Sequence, residues 1–187
     1  MKKIGKSLSY LLLFFLFLCK SYGLEIVNYS IPSSVIDTAL SYQNVLEIGN
    51  NRGAMADKFN KKSGVSVGSP WCQSFVYYCM SANGLSEFKT AHANTYYNNL
   101  KKKYGAKQGN IANKIGIITW KYPNSSSGHI GFILKKQMPQ YVHTIEGNTS
   151  WDNTSPDGRL YAGKQGVFIK IRRIGKLGTM DLRGIVQ

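Results

Sequence analysis

Two cysteines stand seven residues apart in the stretch "GSPWCQSFVYYC", residues 68–79. They could form a disulfide, fill the core as apolar side chains, or include a nucleophile. The stretch predicts a helix, in which seven residues span about 10 Å, whereas a disulfide needs Cα atoms within about 7 Å. Cys72 and Cys79 therefore cannot bridge within this helix, although a bond between two chains stays open.

The position of each cysteine on the predicted helix suggests different roles. Ser69 and Pro70 predict the start, because serine caps helices and proline favours their first position. Cys72 would then be the third helical residue, where free backbone N–H groups and the helix dipole favour a thiolate and could stabilise an oxyanion. Cys79 falls mid-helix, where a free cysteine behaves as a small apolar residue. Position alone leaves Cys72 open between nucleophile and core residue.

A nucleophilic cysteine needs a base, and the chain has three histidines. His92 lies on a predicted helix, where we expect a structural or exposed residue. His143 lies in a predicted strand, and strand alternation turns it away from Glu146. His129, in "SSSGHIGFI", begins a strand after a flexible loop, so its imidazole can be presented next to a helix start. We therefore expect His129 to be the base.

The base in turn needs a group that orients it, and "TIEGNTS" supplies Glu146 and Asn148. These two residues share one face if the backbone is extended. One of them could hold the second imidazole nitrogen while the other supports the imidazole or an oxyanion. Turn chemistry alone would explain the short Glu-Gly-Asn segment. Together with "WC" at a helix start and "GHIG" one strand earlier, it indicates a site.

The elements that must position these residues fall into two halves. Helical patterns come first: "SSVIDTALSYQNVLEIG" ending at Gly49, "NRGAMADKFNKKSG" ending near Gly64, the cysteine helix ending near Ser81, and residues 91–103. Short β-branched and aromatic runs follow: "KIGIITW", "GHIGFILKK", "QYVHTIEG" and "GVFIKIRR". Helices followed by strands predict an α+β domain, with a helical lobe packed on an antiparallel sheet.

In this order, the motifs "SPWCQSFVYYC", "GHIGFIL", "TIEGNTS" and "GVFIKIRR" resemble the CHAP domain, the family of cysteine- and histidine-dependent amidohydrolases and peptidases. The stretch "EIGNNRG", residues 47–53, resembles the helical lead-in of that family. The sequence departs from the pattern at Gly116-Ile117, where members usually carry Gly-Asp before the strand. The acidic metal-binding loop of some relatives is also missing near Cys72.

The resemblance implies a papain-like fold of the NlpC-type superfamily, with Cys72 as nucleophile and His129 as base. Glu146 would orient His129, and Asn148 would be the accompanying polar residue. We also expect Trp71 and Gln73, which flank the nucleophile, to bind substrate. Because no run of Asp or Glu lies near Cys72, we expect no metal, and we expect no cofactor.

The implied substrate is peptidoglycan. The reaction would hydrolyse an amide bond through a thioester, either between muramic acid and L-alanine or within the stem or cross-bridge peptide. The alternative is an inactive relative that binds wall peptides without cleaving them.

The N-terminus predicts export. Basic residues lead into the apolar run "LSYLLLFFLFL" and a small-residue exit, which is typical of a secretory signal peptide over residues 1–23. We then expect one catalytic domain over residues 24–187, a periplasmic or extracellular location, and no stable membrane association after cleavage. An uncleaved anchor or lipidation at Cys19 stays open, although Leu18 is bulky for a lipoprotein signal.

The charge balance predicts an anionic partner. The chain has 24 basic and 9 acidic residues, a formal net charge of +15. Nucleic-acid binding fits poorly, because the basic residues are scattered pairs without interleaved stacking aromatics. An anionic cell envelope fits better. The resemblance to CHAP domains of phage and bacterial cell-wall enzymes implies a bacterial or phage-derived source. No separate wall-binding module is visible, so targeting would come from this domain or from an unknown targeting or immunity partner.

Overall fold

The computed structural model describes residues 31–85, 88–104, 116–122, 124–138, 141–151, 163–173 and 183–186. The helices are α1 (Ser33–Leu40), α2 (Ala54–Ser63), α3 (Cys72–Ala82) and α4 (Ala93–Tyr104). The strands are β1 (Gly116–Lys121), β2 (Gly128–Met138), β3 (Tyr141–Ser150), β4 (Gln165–Arg173) and β5 (Arg183–Val186). The four predicted helices and four predicted strands are present in this order, which confirms the α+β class.

The strands form one antiparallel sheet in the order β4-β3-β2-β1-β5. Helix α3 is the central helix, because it packs on α1, α2 and α4 and also on β2 and β3. Eight of its side chains are buried, including Phe75, Val76 and Cys79. The sequence of α3 is apolar nearly all round because the helix is covered on most sides.

The sheet has two faces with different contents. Strand alternation turns Ile130, Phe132 and Ile145 into the main core against the helices. The residues between them face the other way, where a smaller cluster holds Ile118, Trp120, Ile133 and Val142. The same alternation puts His129 and Glu146 on this second face, so the candidate site lies where the second face meets the start of α3.

A glycine lets α3 approach the sheet closely. A Cβ atom at Gly147 would lie 2.7 Å from Phe75 Cβ and 2.8 Å from Trp71 Cζ3. Contacts this short do not occur between real side chains, so any larger residue at this position would push the start of α3 away from β3.

Two predicted helix boundaries are wrong, and both errors come from contacts distant in sequence. Helix α1 ends at Leu40 rather than Gly49, because Asn44 adopts a positive φ of 65° and donates its N–H to Val167 O at 2.8 Å. Leu46 then forms a bridge with Gly166 instead of a helical turn. Helix α3 begins at Cys72 rather than Pro70, and the backbone N–H of Trp71 directly before it is bound by the side chain of Asn148.

Strand β5 was not predicted, since a four-residue run carries little periodic signal. The signal peptide over 1–23 and Cys19 lie outside the described residues, and the domain bounds stay a prediction. None of the helices in the described ranges combines the length and apolar character that crossing a membrane requires.

Candidate active site

The nucleophile candidate stands at the first position of α3. Trp71 has φ −122° and ψ 15°, which is not helical, and its carbonyl accepts the N–H of Phe75 at 2.9 Å. Trp71 is therefore the N-cap residue and Cys72 the first helical residue, two positions earlier in the helix than predicted. The backbone N–H groups of the first turn lack intrahelical partners, so the electropositive helix end still lies at Cys72.

Asn148 determines where α3 starts. Its Oδ1 accepts the backbone N–H of Trp71 at 3.1 Å, which ties that residue to β3 across 77 positions of sequence. Its Nδ2 donates to Glu47 Oε2 at 3.1 Å and to Asn51 Oδ1 at 2.9 Å. Glu47 also accepts the indole N–H of Trp71 at 2.9 Å. This network, called the Asn148 network below, holds the segment directly before Cys72, the candidate nucleophile.

The backbone of Asn148 departs from the extended geometry that was expected. Its φ is +53°, and the pairing of β3 with β4 shifts register between Glu146 and Thr149. Asparagine tolerates this left-handed conformation better than most residues. Glu146 and Asn148 therefore take different tasks: Glu146 contacts the imidazole, and Asn148 contacts the segment before α3.

His129 joins the thiol to the carboxylate. Its Nε2 lies 3.1 Å from Glu146 Oε2, and the imidazole also neighbours the Cys72 thiol, with which it shares the wall of a pocket. Because Nε2 faces the carboxylate, Nδ1 is the nitrogen left for the thiol. Burial alone would lower the pKa of His129, but Cys72 and Glu146 raise it to about 9. The imidazole is therefore held in its protonated form at neutral pH.

Glu146 is completely buried and ionised. Burial would raise the pKa of Glu146, but Arg172 and then His129 hold that pKa well below its usual range. Thr144 Oγ1 donates to Oε1 at 2.6 Å, and Arg172 Nε donates to the same oxygen at 2.8 Å. The second glycine of "GHIG" makes room for this carboxylate, because a Cβ at Gly131 would lie 2.7 Å from Glu146 Cγ.

A pocket of about 420 Å³ opens onto these residues. Cys72, His129 and Asn148 contribute to its wall. The remaining wall consists mainly of small or polar side chains: Ser69, Pro70, Ala91, His92, Ala93, Tyr122, Ser126, Ser127 and Gly128. Cys72 itself is 7% exposed, and the pocket lies against it.

The other residues singled out in the sequence do not join the contacts between Cys72, His129 and Glu146. Trp71 and Gln73, expected to bind substrate, are each only 1% exposed and do not line the pocket, so direct substrate contact does not agree with the structure. Both face inward because α3 is buried on most sides. His92 is exposed at the pocket wall, and His143 is half-buried on β3. Cys72 and Cys79 are both free thiols, and Cys79 is buried in the core.

The structure adds site residues that the sequence reasoning missed. Arg172 binds Glu146, and Trp120 lies 4.8 Å from the His129 ring, centroid to centroid. Glu47 and Asn51 belong to the Asn148 network; the motif "EIGNNRG" was the only sequence signal that pointed toward them. Burial, and then nearby Cys72 and Glu146, raise the pKa of Tyr122, which marks its hydroxyl as a neighbour of the site.

Comparison with known families identifies one matching family model. Residues 64–148 match the family model described as the CHAP domain. This segment is a CHAP domain. It contains Cys72, His129, Glu146 and Asn148, so the contacts described above lie within the matched part of the chain. The CHAP family consists typically of cysteine- and histidine-dependent amidohydrolases and peptidases, which indicates peptidoglycan hydrolase or amidase chemistry in general.

No curated protein and no solved structure showed significant similarity to the chain. Among the residues that the structure describes, no group of three or more His, Cys, Asp or Glu side chains could hold a metal ion.

Proposed function

We propose that this protein is a cysteine hydrolase that cleaves an amide bond of peptidoglycan. The observation that carries the proposal is the contact chain Cys72–His129–Glu146, which ends at a pocket open to solvent. A thiol, a base and a group that orients the base are the parts that nucleophilic catalysis requires.

In the proposed reaction, the Cys72 thiolate attacks the amide carbonyl and forms a C–S bond. The oxyanion that develops is stabilised by backbone N–H groups of the first turn of α3, including that of Cys72. The His129 imidazolium then gives its proton to the leaving amine as the C–N bond breaks. This step leaves a thioester on Cys72 and a neutral imidazole.

Water resolves the thioester in the second half of the reaction. Neutral His129 accepts a proton from water, hydroxide attacks the thioester carbonyl, and the thiolate leaves as the carboxylic acid forms. Glu146 accepts a hydrogen bond from His129 Nε2 throughout, which keeps Nδ1 directed at the thiol. Asn148 holds the residue before the nucleophile in place.

The proposal extends to the setting of the enzyme. The bond is either the N-acetylmuramoyl-L-alanine amide or an amide of the stem or cross-bridge peptide, and the fold is papain-like. Residues 1–23 would direct export, and the domain over 24–187 would act in the periplasm or outside the cell. Without the four lysines of residues 1–23, the formal charge falls from +15 to +11, and this positive charge favours an anionic wall over a neutral substrate.

The test is digestion of purified peptidoglycan by wild type, Cys72→Ala and Cys79→Ala, with product masses read by mass spectrometry. Wild type should release new amine and carboxylate ends, and Cys72→Ala should release none. Cys79→Ala is the matched control, because it removes a thiol from the same helix that touches no part of the site. We expect it to cut the same bond.

Equal fragment release by wild type and Cys72→Ala would contradict the proposal, as would no release by wild type from walls of several cross-bridge types. Binding of both proteins to walls without any cleavage would instead favour a wall-binding module. The masses of the released fragments distinguish the amidase from the endopeptidase.

A further inference from the structure

Glu146 has more contacts than the orientation of one imidazole requires. Arg172 donates from Nε to Oε1 at 2.8 Å and from Nη2 to Oε2, so the guanidinium binds both carboxylate oxygens. His129 Nε2 also contacts Oε2, at a distance of 3.1 Å, so this oxygen is shared between His129 and Arg172. A two-point contact fixes the plane of a carboxylate as well as its position.

Trp120 contacts both partners of this carboxylate. Its ring centroid lies 4.8 Å from that of His129, and the Arg172 Cζ atom lies 5.0 Å from the Trp120 centroid. Trp120 is 4% exposed, and the Arg172 side chain is 19% exposed. Four side chains from β1, β2, β3 and β4 thus contact one another in a closed ring, called the Arg172 ring below.

We infer that Arg172 is a positioning residue of the proposed reaction, which keeps Glu146 ionised and correctly oriented toward His129 while Trp120 braces both. The inference rests on the proposed roles of Cys72 and His129. Arg172 does not line the pocket, so it acts through Glu146 rather than on the substrate.

The physical reason is the burial of Glu146. A carboxylate without exposure is costly unless it is paired, and burial favours its neutral form. A protonated Glu146 would no longer stabilise an imidazolium on His129. Arg172 supplies the nearby positive charge that opposes this protonation and leaves Oε2 available to His129.

The alternative is that Arg172 only stabilises the fold, by holding β4 against β3 through its contact with Glu146. The two readings differ in their pH dependence. If Arg172 is only structural, replacing it reduces the amount of folded protein at every pH. If Arg172 is a positioning residue, replacing it lets Glu146 take up a proton at higher pH. The acid limb of reactivity would then move upward even in the protein that remains folded.

Charged and titratable groups from several elements face this cluster. Among the described residues they are His129 from β2, Arg172 from β4, Cys72 from the start of α3, and Tyr122 after β1. His129, Cys72 and Tyr122 are all still present in the Arg172 variants, which differ from wild type only in the guanidinium. A shift of the acid limb in an Arg172 variant therefore reports on Glu146.

The experiment compares wild type, Arg172→Met, Arg172→Lys, Glu146→Gln and the double variant Arg172→Met/Glu146→Gln. The first readout is the rate of peptidoglycan digestion, and the second is the alkylation rate of Cys72 by iodoacetamide, located by fragment mass spectrometry. Both are followed from about pH 5 to about pH 10, which spans the ordinary carboxyl and imidazole ranges. Circular dichroism measures the folded fraction of each variant.

We expect Arg172→Met to move the acid limb of both rates upward by about one pH unit or more. Arg172→Lys should give a smaller shift, because it keeps the charge and loses the two-point contact. In the Glu146→Gln background, Arg172→Met should change the rates by less than about threefold, since its target is already neutral.

Unchanged pH profiles, or an equal loss from Arg172→Met with and without Glu146→Gln, would overturn the inference. If Arg172→Met does not fold, the profile of Arg172→Lys decides in its place. Wild type that digests no peptidoglycan would instead contradict the proposed function, and the alkylation profiles would still decide the role of Arg172.

Discussion

Cys72 and Cys79 lie on the same helix and meet different surroundings. Cys79 is in the core, where burial raises the pKa of its thiol far above the ordinary range. Cys72 stands at the first helical position, beside the His129 imidazole and on the pocket wall. At the residue scale, we therefore expect the reactivity of each thiol to depend on its position along the helix and on the side chains beside it.

The charge state of His129 leads to a pH prediction. Burial favours its neutral form, but Cys72 and Glu146 raise its pKa to about 9. Protonation of the leaving amine needs the imidazolium, which is lost as pH rises through this value. Glu146→Gln removes one of the groups that raise the pKa, so the alkaline limb of kcat/KM should move to lower pH. We also expect a rate loss on the order of 100-fold at neutral pH.

The measurement is the pH dependence of kcat/KM for wild type and Glu146→Gln, with the folded fraction determined at each pH. An alkaline limb that stays in place or moves upward in the variant would show that Glu146 does not set the protonation of His129.

Sequence reasoning brought Cys72, His129 and Glu146 together because each stands in a short motif whose position suggests chemistry. Arg172 gave no such signal. It lies in "KIRR" at the end of a strand, and a basic run at such a place is ordinarily solvated. Its contact with Glu146 spans 26 residues and depends on the registry of β3 with β4, which a single sequence does not specify.

At the element scale, the sequence predicted the helices and strands better than their ends. Helix α2 ends at Ser63 before Gly64, as predicted, because the stop signal is local: the C-cap glycine has a φ of 73°. The C-terminal end of α1 depends instead on a backbone partner in β4, and the start of α3 depends on a side chain of β3. Periodicity cannot detect a backbone N–H that is taken by a distant asparagine or strand.

The Asn148 network predicts what happens when the start of α3 is released. Asn148→Ala removes the acceptor of the Trp71 N–H and leaves alanine in a left-handed conformation. The unsatisfied N–H should lower the free energy of unfolding by about 1–3 kcal/mol. Because Cys72 follows Trp71 directly, kcat per folded molecule should fall as well, by about tenfold.

Asn44→Ala is the matched control. Asn44 also has a positive φ, of 65°, but lies between α1 and the bridge to β4. It should lose stability and keep its kcat. Urea unfolding and peptidoglycan digestion measure the two quantities. Equal kcat in Asn148→Ala and wild type would remove Asn148 from the site.

At the scale of the whole molecule, the segment that matches the family model does not include every residue that contacts the site. Residues 64–148 contain the candidate nucleophile Cys72 and the candidate base His129. Glu47, Asn51 and Arg172 lie outside that range. The Asn148 network and the Arg172 ring therefore require segments on both sides of the matched one. The site depends on the fold beyond the matched segment.

The net charge of the whole chain predicts how salt affects activity. The formal charge is +15 for the full chain and +11 without the four lysines of residues 1–23, and Lys61 and Lys62 are exposed together at the end of α2. Attraction between exposed charges is screened over about 10 Å at 0.1 M salt. On intact anionic walls, rising salt should therefore raise KM and leave kcat unchanged, because screening weakens the encounter without altering the contacts of Cys72.

The measurement is the salt dependence of digestion for intact walls and for a soluble, uncharged peptide fragment that carries the same scissile bond. Only the walls should show the rise in KM, and Lys61→Gln/Lys62→Gln should show a shallower rise than wild type. Lys58 is left unchanged because its Nζ lies 5.2 Å from the Tyr78 ring centroid and contributes to packing. The same salt dependence on both substrates would show that the positive charge does not direct the enzyme to the wall.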